Sequence, residues 1–72
     1  MNIKVYCPKT LALTVRDMRK ELNLSQEKVS ELGGLDIKTV GMFENNPQGV
    51  KLNTVFRILD AIGLQITIEK KE

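Results

Sequence analysis

The sequence has no histidine and only one cysteine, Cys7, and these two shortages exclude several classes of function. One cysteine cannot form a disulfide within the chain, and without histidine there is no cysteine–histidine cluster for a metal ion. The sequence also lacks a glycine-rich phosphate loop and a recognisable pair of catalytic carboxylates. We therefore expect a protein that is not an enzyme, that binds no cofactor or metal, and that resides in a reducing cytoplasm.

Long hydrophobic runs are missing as well. No apolar run approaches the roughly 20 residues that a membrane-spanning helix needs, and no signal-peptide pattern opens the sequence. The 42% of apolar residues and 28% of charged residues are typical of a globular domain rather than a disordered chain. Residues 1–72 are expected to form a single domain, near the lower size limit for a self-sufficient core. A partner that covers more apolar surface would stabilise so small a domain, which makes a dimer plausible.

The net charge of +2 permits nucleic-acid binding but does not require it. Within residues 36–51 the positive side chains of Lys38 and Lys51 are balanced by Asp36 and Glu44. Charge alone therefore does not decide whether the chain binds nucleic acid.

Apolar residues recur at helical spacing in a first and in a last segment of the chain. The first helix is predicted to begin at Pro8, which suits the first turn of a helix, and to end near Asn23. The last helix is predicted to begin around Leu52 or Asn53 and to end at Gly63. The side chains expected to face inward are Leu11, Val15, Met18 and Leu22 in the first helix, and Leu52, Val55, Phe56, Leu59 and Ile62 in the last.

Two short helices are predicted between these longer ones. Ser25 is a good N-cap for a helix that ends near Leu32, where Gly33-Gly34 breaks it. Asp36 is suited to cap a further helix over residues 37–44. Two short helices joined by a glycine-bearing turn form a helix-turn-helix unit, whose second helix enters a DNA major groove. The pattern indicates a transcriptional regulator.

After Gly63 the apolar period changes from 3.6 to 2, which predicts a short strand over residues 64–69. Leu64, Ile66 and Ile68 would share one face of this strand. Because an exposed apolar strand is a liability unless it is paired, the strand needs a partner. The amino-terminal segment and the same strand of a second copy are the two candidates, and we favour pairing with a second copy.

Residues 11–62 resemble the lambda-repressor-like helix-turn-helix family, and several short motifs are most similar to HipB-type antitoxins. These motifs are Tyr6-Cys7-Pro8, Leu24-Ser25-Gln26, Phe43-Glu44-Asn45-Asn46-Pro47 and the terminal Leu-Gln-Ile-Thr-Ile. The resemblance implies a mainly α fold of four to five helices, with a short C-terminal β-strand for dimerisation. It further implies a homodimeric repressor that binds double-stranded operator DNA upstream of its own operon, and an antitoxin that binds a HipA-type kinase toxin.

The resemblance also assigns roles to individual residues. Gln26 would hydrogen-bond a DNA phosphate at the positive end of the helix that Ser25 caps. Lys38 would contact guanine or a phosphate, Ile37 and Met42 would pack on thymine methyl groups, and Thr39 would contact a phosphate. Without the motif, Lys38 would be read as a solvated side chain, and Thr39 as bonding to its own helix.

The family pattern also pairs Arg19 with Glu44, the acid that closes the third helix. Such a pair would hold the first helix against the third, and its role would be architectural. The alternative is that both charges are separately solvated.

A different class of function also fits the sequence. Small polar residues often face the bases in this family, whereas the corresponding positions here carry Ile37, Lys38, Gly41 and Met42. The chain could therefore be a protein-interaction module that neutralises a partner by contact alone and binds no DNA. A salt titration of DNA binding distinguishes the two functions.

Overall fold

Four α-helices make up most of the protein, whose computed structural model describes residues 2–71. These are α1 (Pro8–Glu21), α2 (Gln26–Gly33), α3 (Ile37–Asn45) and α4 (Leu52–Ile62), with a 3₁₀ turn over Pro47–Gly49. The mainly helical fold predicted from the sequence is confirmed, and the helices lie close to their predicted bounds. No helix within residues 2–71 is both long enough and apolar enough to cross a membrane.

The two short helices begin at side-chain caps. The Ser25 hydroxyl oxygen accepts a hydrogen bond from the backbone N–H of Lys28 at 3.0 Å, and Asp36 Oδ1 accepts one from the N–H of Lys38 at 2.9 Å. Each cap satisfies a donor that has no partner within the first turn of its helix. The predicted starts of α2 and α3 therefore rest on the chemistry of their own first residues.

Three of the helices are followed by a residue in the left-handed backbone conformation. Asn23 follows α1 with a φ of 59°, Gly34 ends α2 with a φ of 63°, and Gly63 ends α4 with a φ of 85°. A side chain with a Cβ is disfavoured in this region, and glycine and asparagine tolerate it best.

Gly34→Ala is expected to lower the free energy of unfolding by about 1–2 kcal/mol, because it forces a Cβ into the left-handed region. Gly49→Ala is the matched control, since Gly49 has no positive φ and nothing lies within 4 Å of an added Cβ. Its effect should stay within about 0.5 kcal/mol. Urea unfolding measures both, and equal effects would contradict the role of the left-handed turn.

The core is formed by apolar side chains from all four helices. Val15, Val29, Val40, Phe43 and Ile58 are its largest fully buried members. Helix α2 packs against both α3 and α4, and α1 packs against α3. This packing fixes the angle at which α3 is presented on the surface.

Several side chains predicted to face inward are exposed. Leu22 lies just past the end of α1, and Leu52 is the first residue of α4. Both are exposed because the helical period has ended at Leu22 and only begins at Leu52. Phe56 is exposed because the buried stripe of α4 is centred on residues 55, 58, 59 and 62. Ile58, which the sequence analysis did not assign to the core, is buried in its place.

The predicted C-terminal β-strand over residues 64–69 is not formed. No part of residues 2–71 adopts strand structure, and the amino-terminal candidate partner is likewise irregular. Leu64 packs against the core, whereas Ile66 and Ile68 are 45% and 93% exposed. A strand exists only when a neighbouring segment accepts and donates its backbone hydrogen bonds, and no segment within residues 2–71 does so.

Candidate nucleic-acid interface

A short turn, residues 34–36, sets α3 against α2. Leu35 closes this turn by donating its N–H to the carbonyl of Ser30 at 2.8 Å. A Cβ added at Gly33 would lie 3.2 Å from Leu35 Cδ1 and 3.4 Å from the carbonyl oxygen of Arg57. Gly33 therefore lies where α2 closely approaches both the turn and α4.

The outer face of α3 carries most of the predicted DNA-binding residues. Ile37, Lys38 and Met42 are exposed, and Thr39 is half-buried at the edge of this face. Val40 and its buried neighbours hold the opposite side of α3 in the core. Exposed apolar side chains at 47% (Ile37) and 54% (Met42) on a short helix favour a surface that contacts something other than water.

The start of α2 lies beside this face. Ser25 is occupied as the cap, as expected, while the first N–H groups of the helix have no partner within it. These N–H groups and the positive end of the helix dipole favour an anion. The arrangement can therefore accept a phosphate oxygen next to the exposed face of α3.

Arg19 and Glu44 form the ion pair that the sequence analysis expected. Arg19 Nε donates to Glu44 Oε2 at 2.7 Å, and Arg19 Nη2 donates to Glu44 Oε1 at 3.1 Å. The side chains are 10% and 4% exposed. Arg19 Nη1 also donates to the carbonyl of Leu24 at 2.7 Å, which ties α1, the start of α2 and α3 together.

The Gln26 side chain, which the resemblance assigns to a DNA phosphate, makes a hydrogen bond within the protein. Its amide nitrogen Nε2 donates to Glu44 Oε1 at 3.0 Å, and the side chain is half-buried. A Cβ added at Gly41 would lie 3.5 Å from Gln26 Oε1, so the side-chain amide of Gln26 packs against α3 at Gly41. This contact is not predicted by the sequence motifs; its only signal in the sequence is Gly41, a residue without a side chain inside a helix.

The predicted site residues carry little free positive charge. Among the predicted site residues, all of which lie within residues 2–71, only Lys38 carries a positive charge outside an ion pair. Arg19 is neutralised by Glu44, so it adds structure rather than free charge to this face.

Cys7, the single cysteine, is exposed at the N-cap of α1. The hydrogen bond between its sulfur and the Thr10 hydroxyl, at 2.9 Å, lowers the pKa of the Cys7 thiol below its ordinary value. The thiol lies outside the α2–α3 surface and has no part in it.

The other concave surface of note is an open apolar groove. Its lining includes Val5, Leu11, Phe43 and Val50. No group of three or more acidic or cysteine side chains in residues 2–71 is placed to hold a metal ion. The α2–α3 face is therefore the site at which polar, charged and apolar groups converge, and it defines a helix-turn-helix domain.

Comparisons with known proteins agree with this geometry. The family model described as Helix-turn-helix matches residues 15–68. Antitoxin HipB of Escherichia coli strain K12 is 32% identical over 65 residues, which are 90% of this chain and 74% of that protein. HipB of Escherichia coli O6:H1 strain CFT073 is also 32% identical over 65 residues, 69% of its length.

Solved structures are similar over the whole fold. HipB in a structure described as a HipA-HipB-O2-O3 complex has a TM-score of 0.94 at 30% identity, covering 99% of this chain and 100% of that chain. The restriction-modification controller protein C.AhdI from Aeromonas hydrophila has a TM-score of 0.71 at 28% identity, covering 81% and 88%. The chain belongs to the helix-turn-helix family and, within it, to the HipB antitoxins. The resemblance stated from its short motifs is thus confirmed.

Proposed function

We propose that this chain is a homodimeric transcriptional repressor that binds operator DNA, autoregulates its own operon and binds a HipA-type kinase toxin as its antitoxin. The observation that carries the proposal is the outer face of α3, where Ile37, Lys38 and Met42 are exposed beside the anion-accepting start of α2. The likeness to HipB, whose structures include a HipB-O4 20mer complex and the complex with HipA, supports DNA and a kinase toxin as partners. Both DNA and toxin would be met in the cytoplasm.

The proposed contacts divide into positioning contacts and base contacts. Gln26, the capped start of α2 and the hydroxyl of Thr39 would contact phosphates, which set orientation but carry no sequence information. Lys38 would donate to guanine O6 and N7, and Ile37 and Met42 would pack on thymine methyl groups. With so little free positive charge, the apolar contacts would carry an unusually large share of the recognition.

The C-terminal segment is proposed as the dimerisation element. Leu64 already packs against the core, whereas Ile66 and Ile68 are exposed on a segment that forms neither helix nor strand. Pairing with the same segment of a second copy would satisfy its backbone and bury these side chains. A two-fold dimer would set its two α3 helices about one DNA turn apart, roughly 34 Å.

A salt titration of binding to the DNA upstream of the operon tests the proposal. A repressor that displaces counterions from phosphates should lose affinity linearly in the logarithm of the salt concentration and should prefer the operator over unrelated DNA. Absence of any operator preference at every salt concentration would contradict DNA binding, and would instead support an antitoxin that acts by protein contact alone.

Lys38→Ala is expected to weaken operator binding by about 1–3 kcal/mol, because it removes a donor to a guanine edge. Lys70→Ala, which removes the same charge from the exposed C-terminal segment, is the control and should change the affinity much less. Gel-shift assays on operator and unrelated duplexes measure both. If the double substitution of Gln26 and Lys38 by alanine left operator binding unchanged, the assigned surface would be wrong.

A further inference from the structure

A buried carboxylate holds the side chain of Gln26. Glu44 Oε1 accepts hydrogen bonds from both Gln26 Nε2, at 3.0 Å, and Arg19 Nη2, at 3.1 Å. The Glu44 side chain is only 4% exposed, and its second oxygen is occupied by Arg19 Nε. The carboxylate is therefore fixed in place before any ligand arrives.

This contact determines which way the amide of Gln26 points. An ionised carboxylate only accepts hydrogen bonds, so the NH₂ end of Gln26 must face Glu44 and the carbonyl oxygen must point away. That oxygen lies on the side of Gly41, where an added Cβ would be 3.5 Å from it. A solvated glutamine would sample both amide orientations, whereas this one is held in a single orientation.

We propose that Glu44 is a positioning residue for DNA binding, which acts by orienting the Gln26 amide. The second N–H of Gln26 would then be aimed, together with the free backbone N–H groups at the start of α2, at one DNA phosphate. Glu44 itself touches no DNA, and its charge is balanced by Arg19. This inference rests on the proposed operator binding and extends it to a residue that the family pattern makes purely architectural.

The benefit of this arrangement is preorganisation. A long polar side chain loses rotamer freedom when it binds a ligand, and a side chain that is already held loses less. The start of α2 thus presents a fixed set of donors although Gln26 is a flexible residue type. The arrangement also compensates for the small free positive charge of this surface.

A double-mutant cycle on DNA affinity separates positioning from simple structural support. The variants are Gln26→Met, which keeps the length of the side chain without its amide, Glu44→Gln, and the two combined. The probe is a duplex selected from a random-sequence library by the wild-type protein, and circular dichroism sets the concentration of folded protein for each variant. Glu31→Gln, a change of the same charge at an exposed position, is the matched control.

We expect Gln26→Met to weaken binding about tenfold, the size of one lost charge-assisted hydrogen bond. Glu44→Gln should weaken binding several-fold more in the wild-type background than in the Gln26→Met background, because its effect passes through Gln26. Removing the negative charge of Glu44 also increases the general attraction of the protein to DNA. This increase is the same in the wild-type and Gln26→Met backgrounds, so it cancels in the cycle. Glu31→Gln should give the same ratio in both backgrounds.

Equal effects of Glu44→Gln in both backgrounds would overturn the inference and leave the proposed function standing. Failure of the wild-type protein to select any duplex would overturn the proposed function, and the inference with it. If Glu44→Gln does not fold, NMR of the wild-type protein decides. A rigid Gln26 side-chain amide with a scalar coupling across its hydrogen bond to Glu44 supports the inference, and a freely reorienting amide overturns it.

Discussion

Glu44→Ala is expected to lower the free energy of unfolding by about 3 kcal/mol, because it leaves the guanidinium of Arg19 buried without its partner. Arg19 would lose two of its three hydrogen bonds and keep only the one to the Leu24 carbonyl. Domains of this size are stable by only about 0.05–0.15 kcal/mol per residue, so the loss is a large part of the total. Urea unfolding followed by circular dichroism measures it.

Two further variants test whether the loss of stability in Glu44→Ala comes from the burial of the ion pair. Lys28 and Glu31 form an ion pair at 3.7 Å whose side chains are 55% and 64% exposed, and Glu31→Ala should cost no more than about 0.5 kcal/mol. Replacing both members of the buried pair by apolar residues, Arg19→Met with Glu44→Leu, should recover much of the stability lost in Glu44→Ala. If Glu44→Ala were as mild as Glu31→Ala, the pair would not be buried in solution.

Ile66→Lys is expected to convert the dimer to a monomer and to weaken operator binding at the same time. It would place a charge on the apolar face that we propose to lie between the two copies. Thr67→Pro should act in the same direction by a different route, because it removes a backbone N–H from the proposed strand pair. If so small a domain gains stability from the proposed second copy, unfolding of the wild-type protein should also depend on protein concentration.

Gln65→Lys provides the matched control for this prediction. Gln65 is exposed and alternates with Leu64 and Ile66, so it would lie on the opposite face of the proposed strand. The same new charge at this position should leave the dimer intact. Sedimentation velocity distinguishes the variants, and a wild-type monomer at tens of micromolar would contradict the dimer and the two-half-site operator that follows from it.

Much of this fold could be predicted from the sequence because its signals are local. The caps at Ser25 and Asp36 and the left-handed glycines at Gly34 and Gly63 act within a few residues of the helix ends that they define. The apolar period distinguishes the helices from the non-helical C-terminal segment for the same reason. The short motifs around these helices were also sufficient to identify the family.

Contacts between helices required the tertiary structure. Whether Phe56 is buried depends on which neighbour covers its side of α4, and the helical period leaves a residue at the edge of a stripe undecided. A strand over residues 64–69 would likewise need a partner segment, and no segment within residues 2–71 pairs with it.

In the candidate site, too, some features follow from local sequence and others from contacts between helices. The sequence by itself determined most of what α3 exposes, because Lys38 and Met42 are opposite a buried stripe on the same short helix and Ile37 is its first residue. Only the tertiary structure decided that Gln26 is hydrogen-bonded to Glu44, eighteen residues away along the chain. A helix cap or an apolar period is set by neighbours along the chain, whereas a hydrogen bond between two helices exists only once their packing brings donor and acceptor together.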